Sequence, residues 1–180
     1  MKATGIVRRI DDLGRIVIPK EIRRTLRIRE TDPMEIFTDL DGQIILKKYS
    51  PIGELSSFAT QYAESMSKAT GTTVCITDRE QIIAASGQDK KELVGKPVTK
   101  ELSRIMDARR GVVATGKDNE YVGVTEENNF AQEALFPIIC AGDVLGSVIM
   151  LTNEIQPRFS ENERKLVQTA AYFLGNHMEA

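Results

Sequence analysis

Nine of the first 29 residues are Lys or Arg: Lys2, Arg8, Arg9, Arg15, Lys20, Arg23, Arg24, Arg27 and Arg29. Asp11, Asp12 and Glu21 are the acids among them, so this segment stands at +6 in a chain whose net charge is −2. Guanidinium forks grip phosphate oxygens or guanine edges through paired N–H bonds. A charge island confined to one short module is what a reader of the nucleic-acid backbone requires. A merely solvated basic face carries the same charge, and charge alone does not separate the two.

Other chemistry has little support. His177 is the single histidine, and no His/Cys/carboxylate spacing around it fits a metal. There is no P-loop, dinucleotide fingerprint or Ser/His/Asp set. Glu126 and Glu127 precede Asn128 and Asn129 and read as a polar loop. Cys75 and Cys140 sit singly in apolar stretches, as buried thiols of a reducing compartment do. No apolar run approaches the roughly 20 residues that cross a bilayer. The opening Met-Lys-Ala-Thr-Gly has no signal-peptide core, so the expectation is a cytoplasmic, nucleoid-associated protein with no membrane partner.

The cations need elements to hold them. Residues 5–10 read as a strand, 11–14 as a polar turn closed by glycine, and the β-branched run 15–18 as a second strand. Pro19 opens a short helix over about 19–27. At about 100° per residue, Lys20, Arg23, Arg24 and Arg27 share one arc of roughly 100°, with Ile22 and Leu26 opposite. Residues 34–38 and 43–48 read as strands joined by an Asp-Gly hairpin turn at 39–42. Four short strands and one short helix make a poor core alone, and lone hairpins leave unpaired edges. The economical solution is a second copy, giving an obligate dimer of interleaved hairpins.

The pattern Asp-x-Leu-Gly-Arg-Ile-x-Ile-Pro at 11–19, within a match running from Gly5 through Leu26, resembles the AbrB-type (SpoVT-AbrB) swapped-hairpin domain of bacterial transition-state regulators. The resemblance implies a β-rich barrel built from two interleaved chains. It also implies DNA contacts from Arg8, Arg15, Arg23 and Arg24; the charge map adds Arg9, Lys20 and Arg27. With so short a helix, phosphate positioning and DNA shape are expected to carry much of the selectivity for double-stranded DNA.

Ser50-Pro51 marks a boundary. Residues 1–50 carry +3 and residues 51–180 carry −5, the opposite signs expected of a nucleic-acid module joined to an acidic domain. In the second domain, 53–69 has a 4-3-4-3 apolar stripe at Leu55, Ala59, Tyr62, Met66 and Ala69, which suits either a helix–helix seam or a helix packed on its own domain. Strands are expected at 72–77, 81–86, 120–125, 134–140 and 144–152, with broken helix over 89–109. Ser160-Glu161-Asn162-Glu163 is a capping box that opens a final helix. This order predicts an α+β layer with an antiparallel sheet and flanking helices. It resembles a GAF domain, a small-molecule-sensing fold. The resemblance implies a ligand pocket beside the sheet, for a ligand the sequence does not name, and oligomerisation through the flanking helices, making a tetramer. No cofactor is expected.

The combined reading is a transcriptional regulator of sporulation genes, since two-domain regulators of this family share the layout. Two alternatives are an antitoxin-like interaction module and a cysteine-based reductase like the GAF-type sulfoxide reductases. The first usually carries a disordered tail, whereas residues 51–180 are periodic and capped. The second needs Cys75 and Cys140 to meet in space.

Overall fold

The computed structural model describes residues 4–49, 56–127 and 130–178. The chain divides into two compact units, Met1–Tyr49 and Ser50–Ala180; each is described by itself.

In the first unit the segment 5–18 forms no ladder, contrary to the strands expected at 5–10 and 15–18. Its backbone closes only the turn: Asp11 N–H donates to the Arg15 carbonyl at 3.1 Å and Gly14 N–H to the Asp11 carbonyl at 3.0 Å. A strand is held by a neighbour that takes its N–H and C=O groups, and this segment meets none within its unit. Helix α1 spans Lys20–Thr25, shorter than expected. Arg27, with φ 53°, reverses the chain. Ile28 N–H donates to the Arg23 carbonyl at 2.7 Å and Arg27 N–H to that of Arg24 at 3.3 Å. That pair is a Schellman stop, with arginine at the position glycine usually fills.

Strands β1 (Met34–Thr38) and β2 (Ile44–Lys48) form the expected antiparallel hairpin. Asp39 organises its turn: Oδ1 accepts from Asp41 N–H at 3.1 Å and Gln43 N–H at 2.8 Å. Lys48 Nζ reaches Asp32 Oδ2 at 3.1 Å and the Arg27 carbonyl at 2.9 Å, clipping the end of the helix to β2. Among the described residues of this unit Pro19 alone is buried. Val7 is 86% exposed and Val17 71%, so the apolar side chains of the 5–18 segment find no cover in their own unit.

The second unit is a five-stranded antiparallel sheet between two layers. Its elements are α2 (Ser56–Thr70), β3 (Thr73–Thr77), β4 (Ile82–Ser86), α3 (Lys90–Leu93), α4 (Lys100–Asp107), β5 (Val112–Thr115), β6 (Gln132–Cys140), β7 (Asp143–Thr152) and α5 (Glu161–His177). The strand order is β4-β3-β7-β6-β5. One face packs on α2 and α5: Ala134, Phe136, Ile138, Val148 and Met150 meet Ala59, Ala63, Val167, Ala170 and Leu174. The alternate positions Leu135, Ile149 and Leu151 face the other way, against Leu93, Leu102, Met106 and Phe130. Both faces are covered, which is why β6 and β7 read as continuous apolar runs rather than alternating ones. At Gly175 α5 passes so close to β6 that a Cβ would overlap the Ile139 carbonyl oxygen.

The expected helix start at 53–55 and Asn128-Asn129 lie outside the described residues. Ser160 caps α5 as expected: Asn162 N–H donates to its hydroxyl at 3.3 Å, and its own N–H donates to Glu163 Oε2 at 2.7 Å. One strand is corrected. Residues 120–125 are loop, because Val122 and Gly123 N–H donate to the Glu133 carboxylate at 2.5 and 3.1 Å rather than to a ladder. The edge strand is β5 instead, paired with β6.

Candidate nucleic-acid interface

Three of the seven expected cations ride on α1. Lys20 and Arg24 are exposed, and Arg23 is half-buried with Nη1 3.8 Å from Glu30 Oε1. Pro19 is the N-cap residue, with ψ 147°, so the helix opens at Lys20 rather than at the proline, and no β-branched run opposes it. Its N-cap has no side-chain cap, and Glu21 sits in the first turn where the helix dipole favours an acid. Arg27, expected on the same arc, lies past the helix end in the left-handed region, so it leaves that arc. Arg8 and Arg9 are exposed in the segment before the turn.

Arg15 follows the turn and is held by it. Asp11 Oδ1 accepts from Leu13 N–H at 3.0 Å and Arg15 N–H at 2.8 Å; Asp11 Oδ2 accepts from Arg15 Nε at 2.8 Å. The Arg15 backbone N–H first, and its guanidinium second, hold the Asp11 carboxyl below its ordinary range. Sequence reasoning passed over Asp11 as a turn residue. The available signal was its spacing, four residues before an arginine. Gly14 has φ 74°, which the turn requires.

The arrangement presents a set of cations, of which Arg15 is held by its turn. Among the described residues no three His, Cys, Asp or Glu side chains are grouped to hold a metal. His177 instead stacks on Phe58, ring centroids 4.6 Å apart. The two cysteines are separated by the sheet. Cys75 pairs in register with Ile149, whereas Cys140 pairs with Asp143. Those levels are six residue steps apart along β7, roughly 20 Å at about 3.3 Å per residue. Burial pushes the Cys75 thiol up to about 12, so it stays protonated.

In the second unit Glu133 is the functional-looking residue that composition could not reveal: a wholly buried carboxyl on the face opposite α2 and α5. Burial raises it to about 7 against the opposing effect of the Val122 and Gly123 N–H groups. The loop it holds is tied again by Thr99, whose hydroxyl donates to the Gly123 carbonyl at 2.8 Å and accepts from Leu102 N–H at 3.1 Å, capping α4.

Comparison with known proteins agrees with both units. Residues 54–179 match the family described as stage V sporulation protein T C-terminal, transcription factor. Residues 7–54 match the family described as antidote-toxin recognition MazE, bacterial antitoxin. The chain is 50% identical to stage V sporulation protein T of Bacillus subtilis, over 99% of each chain. It is 65% identical to transition state regulatory protein AbrB of the same organism, over 28% of this chain and 52% of that one. Among solved structures, the GAF domain of an Acinetobacter phosphoenolpyruvate-protein phosphotransferase aligns with a TM-score of 0.58 at 12% identity, covering 69% of this chain and 81% of that one. The second unit therefore has the GAF fold.

Proposed function

The chain belongs to the stage V sporulation protein T family of transcription factors, and from that premise we propose that it regulates sporulation genes by binding double-stranded DNA as a dimer of its first unit. The observation that carries the reading is the cation set of that unit: exposed Lys20 and Arg24 and half-buried Arg23 on one short helix, and Arg15 held on the adjoining turn. Arg8 and Arg9 join them from the preceding segment, and Arg27 from beyond the helix. The likeness to AbrB, a transition state regulatory protein, supports the same reading.

The unit's apolar surface supports the dimer. Ile6, Val7, Ile10, Leu13, Ile16 and Val17 are all exposed. Their burial against a second copy, with the 5–10 and 15–18 segments completing ladders, supplies the core that one copy of this unit lacks. Doubling the cations about a two-fold axis fixes the half-site spacing. Substitution Arg23→Ala with Arg24→Ala is expected to abolish the DNA footprint of the wild-type protein. Each lost phosphate contact lowers the log–log salt slope by about 0.9. A footprint that survives the double substitution, or binding that is flat in salt, would sink the proposal.

The GAF-fold unit serves as the regulatory and oligomerising half. Leu166, Tyr172 and Phe173 are exposed on α5, and Phe173 stacks on Tyr62 of α2 at 5.4 Å. These two helices join dimers into a tetramer, and a small molecule beside the sheet is its regulatory ligand. No described helix is long and apolar enough to cross a membrane, and the protein acts in the cytoplasm on the nucleoid. The separation of Cys75 from Cys140 leaves a dithiol reductase without its pair.

A further inference from the structure

We infer that Asp11 is a positioning residue for DNA recognition, acting through Arg15; the inference rests on the reading of Arg15 as a DNA-contacting group. The chain contains its own control. The turns Asp11-Asp12-Leu13-Gly14-Arg15 and Asp39-Leu40-Asp41-Gly42-Gln43 are built alike. In each, the first Asp N–H donates to the carbonyl of the fifth residue, and the Gly N–H donates back to the Asp carbonyl. In each, Oδ1 accepts from the third and fifth N–H groups. The glycines have φ 74° and 75°. The second turn closes with Gln43 at the fifth place, so closing such a turn needs only Oδ1 and the backbone. The bond from Arg15 Nε to Asp11 Oδ2 is additional, and it falls on one of the expected DNA-contacting arginines.

That bond occupies the nitrogen nearest the Arg15 stem. Its two terminal nitrogens have no partner among the described residues, and the Arg15 side chain is 68% exposed. A long arginine side chain gives up rotamer freedom when it docks on phosphate, and a fork already held gives up less. Against this stands the Asp11 charge, which repels phosphate. That repulsion acts at longer range through solvent and is screened by salt more strongly than the 2.8 Å contact that makes the restraint. Positioning therefore outweighs repulsion at moderate salt.

The two effects predict opposite signs. Asp11→Asn and Asp12→Asn each remove one negative charge from the same turn, and Asp12 makes no hydrogen bond or ion pair among the described residues. The full-length protein is titrated with mixed-sequence double-stranded DNA at moderate salt, and melting and solution mass verify that each variant folds and assembles as the wild type. Asp12→Asn is expected to bind as tightly or more tightly. Asp11→Asn is expected to bind about three- to tenfold more weakly despite its added positive charge. In an Arg15→Ala background, Asp11→Asn is expected to have no further effect. An Asp11→Asn protein as tight as Asp12→Asn, beside a weakened Arg15→Ala, overturns the inference and leaves the DNA reading standing. An equal loss with and without Arg15 also overturns it, since Asp11 would then act on the turn alone. An Arg15→Ala protein that binds like wild type overturns the reading of Arg15 itself, and the inference with it.

Discussion

Glu133 is the residue whose chemistry is least like its neighbours'. On β6 it lies in register between Ala114 of β5 and Leu151 of β7, and two backbone N–H groups are its hydrogen-bond donors. Its carboxyl titrates at about 7 when folded against 4.5 ordinarily. Below about 4.5 both folded and unfolded chains carry the proton. As pH climbs through 7 the folded chain must hold a buried charge, so the stability present at low pH is lost over that window. The rise corresponds to roughly 3 kcal/mol. Substitution Glu133→Gln removes the titration. Denaturant unfolding of both proteins at pH 5 and pH 8 is expected to show the wild type losing ground to the variant by about that amount. Curves that stay parallel would show that Glu133 does not titrate in this range.

At the scale of elements, the end of α1 carries a cost that can be removed. Arg27 sits at φ 53°, where a side chain other than glycine's is disfavoured by about 1 kcal/mol. Arg27→Gly is expected to raise thermal stability by about that much while weakening DNA binding, because it relieves the backbone and deletes a cation. A protein both less stable and unchanged on DNA would contradict both assignments. The same residue explains a limit of sequence reading. The helix seemed to run to 27 because Arg27 completes a basic arc, yet glycine's usual stop is performed there by arginine. Strands β6 and β7 were legible because burial on both faces leaves an unbroken apolar run. Strand β5 was not, because four residues following Arg109-Arg110-Gly111 carry almost no pattern. Residues 120–125 looked like a strand from their β-branched side chains, but the Val122 and Gly123 N–H groups are satisfied by Glu133, a partner no local window contains. The charge island of residues 1–29 was legible from composition, whereas the assignment of Arg8, Arg15, Arg23 and Arg24 to DNA rests on the family resemblance. Asp11 was not weighed, since an acid in a basic patch reads as turn chemistry, and its second oxygen matters only once the Arg15 side chain is placed.

For the whole molecule, the argument concerns how two small contributions become one strong one. In the proposed assembly a dimeric basic module binds DNA through exposed, salt-sensitive contacts. Joining two such dimers makes the second engagement intramolecular and raises apparent affinity without any new contact, provided the linkage spans the sites. The aromatic edge where α2 meets α5, with Phe58, Tyr62 and Phe173 mutually in contact, is the surface proposed for that linkage, and Leu166 and Phe173 are exposed. Leu166→Glu with Phe173→Glu places charge on that apolar surface while leaving residues 1–50 untouched. Sedimentation is expected to show the tetramer reduced to a dimer. DNA titration is expected to show affinity for a duplex bearing two sites falling at least tenfold, with affinity for a single site nearly unchanged. A double variant that still sediments as a tetramer would place the dimer–dimer contact elsewhere. One that becomes dimeric yet keeps full affinity for both duplexes would show that the GAF-fold unit assembles the protein without strengthening its hold on DNA.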